Sequence, residues 1–141
     1  MKEAIFVDTD VIIDFLIDRE PFSQRSAELF ALAEREEIVI YASSLCFGNI
    51  FYVLRKLVGF EKVMDLLQKL EGLTEILPVG KITIKQALVK RFADFEDGIQ
   101  YFTALQEPRI KKIITRNVRD FKKSDLIIQT PDEFIAAYFA K

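Results

Sequence analysis

Three short stretches of the chain carry oxygen-bearing side chains at spacings that could do chemistry: Asp8-Thr9-Asp10, Asp94-Phe95-Glu96-Asp97 and Asn117-Val118-Arg119-Asp120. Carboxylates brought together repel, because like charges a few ångströms apart disfavour joint ionisation. A hard cation removes that conflict. Mg²⁺ takes oxygen ligands, keeps several of its waters and typically needs only one or two carboxylates. An ion held in this way lowers the pKa of a bound water, and a pair of ions about 3.5–4 Å apart stabilises both the attacking and the leaving oxygen of a phosphodiester. The rest of the composition narrows the alternatives. Histidine is absent, which removes the usual zinc sites, the Ser-His-Asp triad and histidine general-base chemistry. Cys46 is the only cysteine, so no internal disulfide can form, and with no histidine to activate it the thiol reads as a small buried apolar group.

Each stretch also has an ordinary structural reading. Asp8 and Asp10 can cap the helix that follows them. Asp94, with Asp97 three residues later, matches an N-cap whose acids serve the helix dipole. Asn117 and Asp120 can make turn hydrogen bonds. The elements that must carry the three stretches bear on the choice between these readings.

Ala4 to Val7 predicts a buried strand halted by Asp8. Val11 to Ile17 predicts a helix, and Pro21 suits the first turn of a second helix reaching about Glu36. Ile38 to Tyr41 reads as a strand, and Ser43 or Ser44 can cap a helix from Leu45 to Val58. Glu61 to Leu70 sets Val63, Leu66, Leu67 and Leu70 at helical spacing. A strand from Glu75 to Val79, helices over Ile82–Phe92 and Phe95–Gln106, and strands over Lys112–Thr115 and Leu126–Gln129 follow. Thr130-Pro131-Asp132-Glu133 supplies an N-cap, a proline at the first helical position and a capping-box glutamate, opening a helix that buries Phe134, Ile135, Tyr138 and Phe139. Strands alternating with helices mean a mainly parallel sheet in a three-layer α/β/α sandwich. Ligands in such sheets bind beyond the carboxyl ends of the strands. The first strand and the Lys112–Thr115 strand both run into acidic stretches, and the helix opened by Asp94 leads back to the second of them. All three stretches can therefore meet at one sheet edge.

The chain of 141 residues, half of it apolar and free of repeats or Pro/Gly/Ser linkers, is expected to form one domain over residues 1–141. The opening Met1–Ile5 does not look like a signal peptide, and no run approaches about 20 apolar residues, so a cytoplasmic protein with no membrane span is expected. A net charge of −2 argues against a protein that coats nucleic acid non-specifically, while leaving room for a local basic patch.

At the acidic stretches the chain resembles the PIN-domain family, in particular the VapC-like ribonucleases of toxin–antitoxin systems. Phe6–Asp14 is similar to the family's first strand with its invariant acid, here Asp8. Asp94–Gln100 resembles the DFEDALQ-type helix start of one PIN subgroup, in which Asp97 matches the metal-binding acid. Thr115–Phe121 resembles the TRNxxDF signature, and Thr130–Phe134 the terminal TPEEF-like helix. The ordered set, over nearly the whole chain, is more specific than any one motif. The resemblance implies Mg²⁺ or Mn²⁺ held by Asp8, Asp97, Asn117, Asp120 and Asn49, with Asp94 beside them in the catalytic set. It also implies cleavage of single-stranded RNA, homodimers and, in toxins, an antitoxin that blocks the site. The chain departs from the family twice. Many members place a Glu on the third helix where this chain has Asn49, and their fourth acid falls at Asn117. Amide oxygens can coordinate a hard cation but bring no charge, so metal affinity should be lower than in a site of four carboxylates. Asn49 equally fits a buried polar group hydrogen-bonded to backbone.

Lys111, Lys112, Arg116, Arg119, Lys122 and Lys123 cluster around the last signature, and Lys81, Lys85, Lys90 and Arg91 precede Asp94. Most read as solvated faces; Arg116 and Arg119, which flank Asn117, are the candidates for RNA contacts, with Thr9. Phe22, after a turn, is a candidate exposed aromatic. Two other functions fit part of the pattern. Asp8-Thr9-Asp10 resembles the nucleophile motif of haloacid-dehalogenase-type phosphatases, although Ile12 departs from it and no Gly-Asp-x-x-x-Asp motif follows. A PIN fold that holds RNA or a protein without cutting is the other, motivated by Asn49 and Asn117. Finally, Ile50, Phe51, Tyr52, Val53, Leu54, Leu57 and Val58 offer more apolar surface than one sheet face needs, which suits a twofold interface.

Overall fold

The computed structural model describes residues 2–121 and 124–140, so Lys122 and Lys123 of the basic run lie outside the described residues. Five strands form one parallel sheet in the order β3-β2-β1-β4-β5. They are β1 (Glu3–Val7), β2 (Ile38–Ser43), β3 (Glu75–Leu77), β4 (Ile110–Ile114) and β5 (Ile127–Gln129). The helices are α1 (Thr9–Leu16), α2 (Ser23–Glu34), α3 (Ser44–Val58), α4 (Phe60–Leu73), α5 (Lys81–Lys90), α6 (Phe95–Ala104) and α7 (Pro131–Phe139).

Alternation along β1 builds both layers, because successive strand residues face opposite sides of a sheet. Ile5 and Val7 pack with residues of α1, α2, α3, α4 and α7, including Ile12, Phe30, Ile50, Leu66 and Phe134. Ala4 and Phe6 pack with Phe92, Tyr101 and Ala104 on the other side. The central pair β1 and β4 is covered on both faces, which places the carboxyl ends of two adjacent buried strands side by side.

The elements follow the expected order, with three differences. Pro21 lies outside α2, which starts at Ser23; Arg19–Phe22 instead form a turn closed by the Phe22 amide donating to the Arg19 carbonyl at 2.9 Å. The residues after β4, for which the sequence predicts no element, form a 3-10 turn, Val118–Phe121, anchored by the fully buried Phe121 ring. Thr130 caps α7 in a complete capping box, and Phe134 and Ile135 are buried, but Phe139 is 64% exposed, its ring edge-on to Tyr138 at the helix end. Among the described residues no helix is long and apolar enough to cross a membrane.

These placements rank three substitutions. Phe134→Ala removes a fully buried ring and should cost about 3–5 kcal/mol. Thr130→Ala, which deletes the cap, should cost about 1 kcal/mol, and Phe139→Ala should stay within about 0.5 kcal/mol. Urea unfolding of the three variants checks the order.

Candidate active site

The site begins where β1 and β4 end. The Asp8 amide continues the ladder by donating to the Ile114 carbonyl at 2.9 Å, which leaves the Asp8 side chain at the carboxyl edge of the sheet. Asp8 is 6% exposed. Its Oδ2 accepts from the Thr115 hydroxyl at 2.8 Å. Its Oδ1 accepts from the Thr9 amide at 2.9 Å and from Gln100 Nε2 at 3.3 Å. Burial pushes the Asp8 carboxyl above its ordinary range, and these hydrogen bonds pull against that rise without cancelling it.

Gln100 ties the layers together. Its Oε1 accepts from the Ser43 hydroxyl at 2.6 Å while its Nε2 reaches Asp8 and, at 3.4 Å, the Thr9 hydroxyl. Ser43 also caps α3 by accepting from the Cys46 amide at 3.2 Å. Gln100 therefore couples the β2–α3 junction to the acid on β1. The sequence reading quoted Gln100 within a motif but assigned it no role. Its spacing carried a signal: three residues after Asp97, it lies on the same face of α6 one turn on.

Asp94 caps α6, accepting from the Asp97 amide at 3.3 Å. The capping reading is thus real, and it also fixes the turn from which Asp97 enters the site. The Asp97 carboxyl is pushed up to about 8, first by burial, then by the charges of Asp8, Asp94 and Asp120, and finally by its hydrogen bond to Asp120. Two carboxyl groups hydrogen-bond only by sharing a proton. No Lys or Arg of the described residues is ion-paired to Asp8 or Asp97. Asp120 arrives on the 3-10 turn, whose start is closed by the Asp120 amide donating to the Asn117 carbonyl at 3.0 Å.

The two amides at positions where relatives carry acids are engaged by acids. Asn117 Nδ2 donates to Asp10 Oδ2 at 3.1 Å, and its backbone amide donates to the Thr115 hydroxyl at 3.0 Å. Asn49 Nδ2 donates to Glu96. Asn49 is partly exposed and faces the cleft, so its partner is a side-chain carboxylate, not buried backbone. Asp8, Asp94, Asp97, Asn49, Asn117 and Asp120 line one open cleft of about 410 Å³, together with Thr9, Asp10 and Glu96. Among the described residues, no three acidic or cysteine side chains converge into a ready-made metal cage.

Among the described residues, the basic side chains do not form one rim around this cleft. Arg116 turns away to the buried Asp14, with Nε 2.8 Å from Oδ2 and Nη2 3.4 Å from Oδ1, and Arg19 approaches the same carboxylate at 3.4 Å. Its guanidinium lies 4.0 Å over the Phe22 ring, which is 38% exposed, as the sequence reading had allowed. Lys112 pairs with Glu3 at 2.9 Å, toward the opposite end of the strands. Lys81, Lys85 and Lys90 lie exposed on α5 and do not line the cleft. Arg119 is exposed on the turn that carries Asp120. Cys46 is fully buried, and burial with the nearby Asp8 charge pushes its thiol up to about 12, which leaves it inert at neutral pH.

Residues 4–119 match the family described as PIN domain. The chain belongs to the PIN-domain family. Ribonuclease VapC1 of Aquifex aeolicus is 28% identical over 138 residues, with 94% of each chain covered. Among solved structures, VapBC2 of Rickettsia felis bound to a DNA fragment from its promoter overlays with a TM-score of 0.67 at 17% identity, covering 90% of this chain and 98% of that one. VapC20 of Mycobacterium tuberculosis, a toxin that cleaves the sarcin–ricin loop, gives 0.61 at 20% identity over 77% of this chain and 86% of that one. The sheet order and flanking helices are thus those of a VapC-like PIN domain, and the phosphatase reading of Asp8-Thr9-Asp10 falls away.

The Asp97 shift has a consequence for stability. A carboxyl raised from 3.8 to about 8 keeps its proton in the folded PIN domain over a range in which the unfolded chain releases it. In chelator, stability should therefore fall as pH rises from about 4 to about 8. Asp97→Asn should lose this contribution and gain on the wild type as pH rises through that window. Urea midpoints at pH 5 and pH 8 check it; parallel pH dependences for the two proteins would contradict the assignment.

Proposed function

We propose that this PIN domain is a divalent-metal-dependent endoribonuclease that cuts single-stranded RNA in the cytosol, as the toxin of a toxin–antitoxin pair. The observation that carries the reading is the meeting of Asp8, Asp94, Asp97 and Asp120 in one cleft at the carboxyl edge of the sheet, where burial and then the neighbouring acids push the Asp97 carboxyl up to about 8 and no basic group of the described residues is ion-paired to Asp8 or Asp97. Names among the relatives support it: a ribonuclease, a toxin that cleaves the sarcin–ricin loop, and VapBC complexes.

The donor set fits a hydrated hard cation. All the cleft's charged donors are oxygens, and Mg²⁺ or Mn²⁺ needs only one or two carboxylates when it keeps its waters. Asp8, Asp97 and Asp120 are the residues that would hold the ion, and Asn117 and Asn49 can add neutral oxygens. A bound divalent ion would supply an acidified water and charge stabilisation at the phosphodiester. The chain's own contribution is positional. Thr115, Thr9 and Gln100 fix both oxygens of Asp8. Asp94 fixes the first turn of α6 and so the entry of Asp97. Thr9 lines the cleft and Arg119 is exposed, and on this reading both would contact the RNA backbone.

Asp8→Asn and Asp97→Asn should each lower the cleavage rate of a fluorogenic single-stranded RNA with Mn²⁺ by at least about two orders of magnitude, or roughly 2.7 kcal/mol of transition-state stabilisation. Unchanged cleavage in both variants defeats the site. If clean wild type leaves RNA intact, the amides at 49 and 117 favour a binding module in its place.

The assembly reading rests on α3 and α4. Ile50 and Leu54 face the core, but Tyr52 is 71%, Leu57 66% and Phe60 53% exposed. We propose that this apolar face closes a homodimer. Sedimentation at micromolar concentration should give twice the chain mass of 16.3 kDa, and Leu57→Lys should shift it to the monomer. A monomeric wild type rejects the interface.

A further inference from the structure

A second hollow of about 400 Å³ adjoins the acidic cleft, and Asn117 lines both. Its other walls include Phe22, Arg25, Arg116, Pro131 and Asp132. We propose that this hollow is a nucleobase subsite, holding an unpaired base of the RNA strand stacked on the Phe22–Arg116 pair. The proposal rests on the ribonuclease reading and adds to it a place where base identity is sensed.

The charges favour a base over a phosphate. Arg116 is bound through two nitrogens to the fully buried Asp14, and Arg25 lies 2.9 Å from Glu28 and 3.1 Å from Asp132. Neither guanidinium offers an unpaired positive charge to a phosphate. What remains is shape. The pairing with Asp14 holds the Arg116 plane over the Phe22 ring, and the ring is still 38% exposed. A rigid aromatic–guanidinium stack is a platform on which unpaired bases stack with little further loss of side-chain entropy. The Arg25 and Asp132 side chains put a donor and an acceptor at the same hollow, which suits the hydrogen-bonding edge of a base. The volume matches a small-ligand pocket and is too small for a helix or a duplex. Because Asn117 belongs to both walls, a strand whose backbone lies in the acidic cleft can seat a neighbouring base here.

The test uses short single-stranded RNAs with 2-aminopurine placed at successive positions. Binding is measured with the Asp97→Asn chain, which keeps the strand intact. Fluorescence should be quenched at one position flanking the cut site. Adding Phe22→Leu, which keeps apolar bulk but removes the ring, should abolish that quench and weaken binding about tenfold; Phe22→Trp should restore both. In the otherwise wild-type chain, Phe22→Leu should raise KM about tenfold, with the larger part of the loss in KM rather than kcat, and flatten base preference at that position. Matched urea midpoints confirm that the variants are folded. RNA cleavage that is intact but indifferent to Phe22, with no position-specific quench, overturns the subsite alone. So does a Phe22→Leu effect confined to binding of an antitoxin peptide. Absence of cleavage by the wild type overturns the ribonuclease reading and the subsite with it.

Discussion

The site depends on one unresolved electrostatic conflict. Asp8 is buried at the end of a central strand, and the groups that hold it are neutral: a threonine hydroxyl, a backbone amide and a glutamine amide. Neutral donors stabilise a carboxylate without discharging it, so its field adds to the burial that first raises the Asp97 carboxyl. Asp14, six residues further on in α1, is buried as well, and burial raises its carboxyl too, but Arg116 and Arg19 close on it in ion pairs that pull against the rise. Of the two buried aspartates, the one with no ion-paired base among the described residues faces the cleft.

Most of the scaffold was legible because it follows from periodicity and punctuation. The β1 run ends at Asp8, the Thr130 capping box opens α7, and of the two serines that could cap α3 it is Ser43 that does. The departures arise where tertiary contacts outweigh local signals. Pro21 is permitted in a first helical turn, yet the Arg19–Phe22 turn carries it outside α2 and leaves Phe22 beneath Arg116. Phe139 has the side chain of a core residue, but it lies at a helix end where burial of Phe134 and Ile135 has already set the packing face.

The site was legible in its acids and less so in its polar partners. Acid spacing located Asp8, Asp94, Asp97 and Asp120, since each follows a strand or opens a helix, and all line one cleft. Gln100 and the pairing of Arg116 depend on contacts across 92 and 102 positions, respectively, for which no local pattern exists. Arg116 shows the hazard of reading charge from proximity in sequence. It borders Asn117, yet two of its nitrogens bind Asp14 and its guanidinium lies over the Phe22 ring.

The two amides follow a common rule. Asn49 holds Glu96, and Asn117 holds Asp10, so each amide that stands where many relatives have an acid is hydrogen-bonded to a carboxylate from another element. An amide at either position adds an oxygen without adding to the negative charge around Asp8 and Asp97. With burial and three acids already raising Asp97, a further carboxylate would deepen the repulsion that the fold must bear whenever no cation is bound. The amides limit that strain while keeping oxygen atoms beside the cleft. With no cation bound, the same arrangement makes the cleft repel an RNA phosphate, and Arg116, paired to Asp14, does little to oppose that repulsion. On the proposed reading, productive binding of the strand then draws on the cation and on base contacts as well as on Arg119.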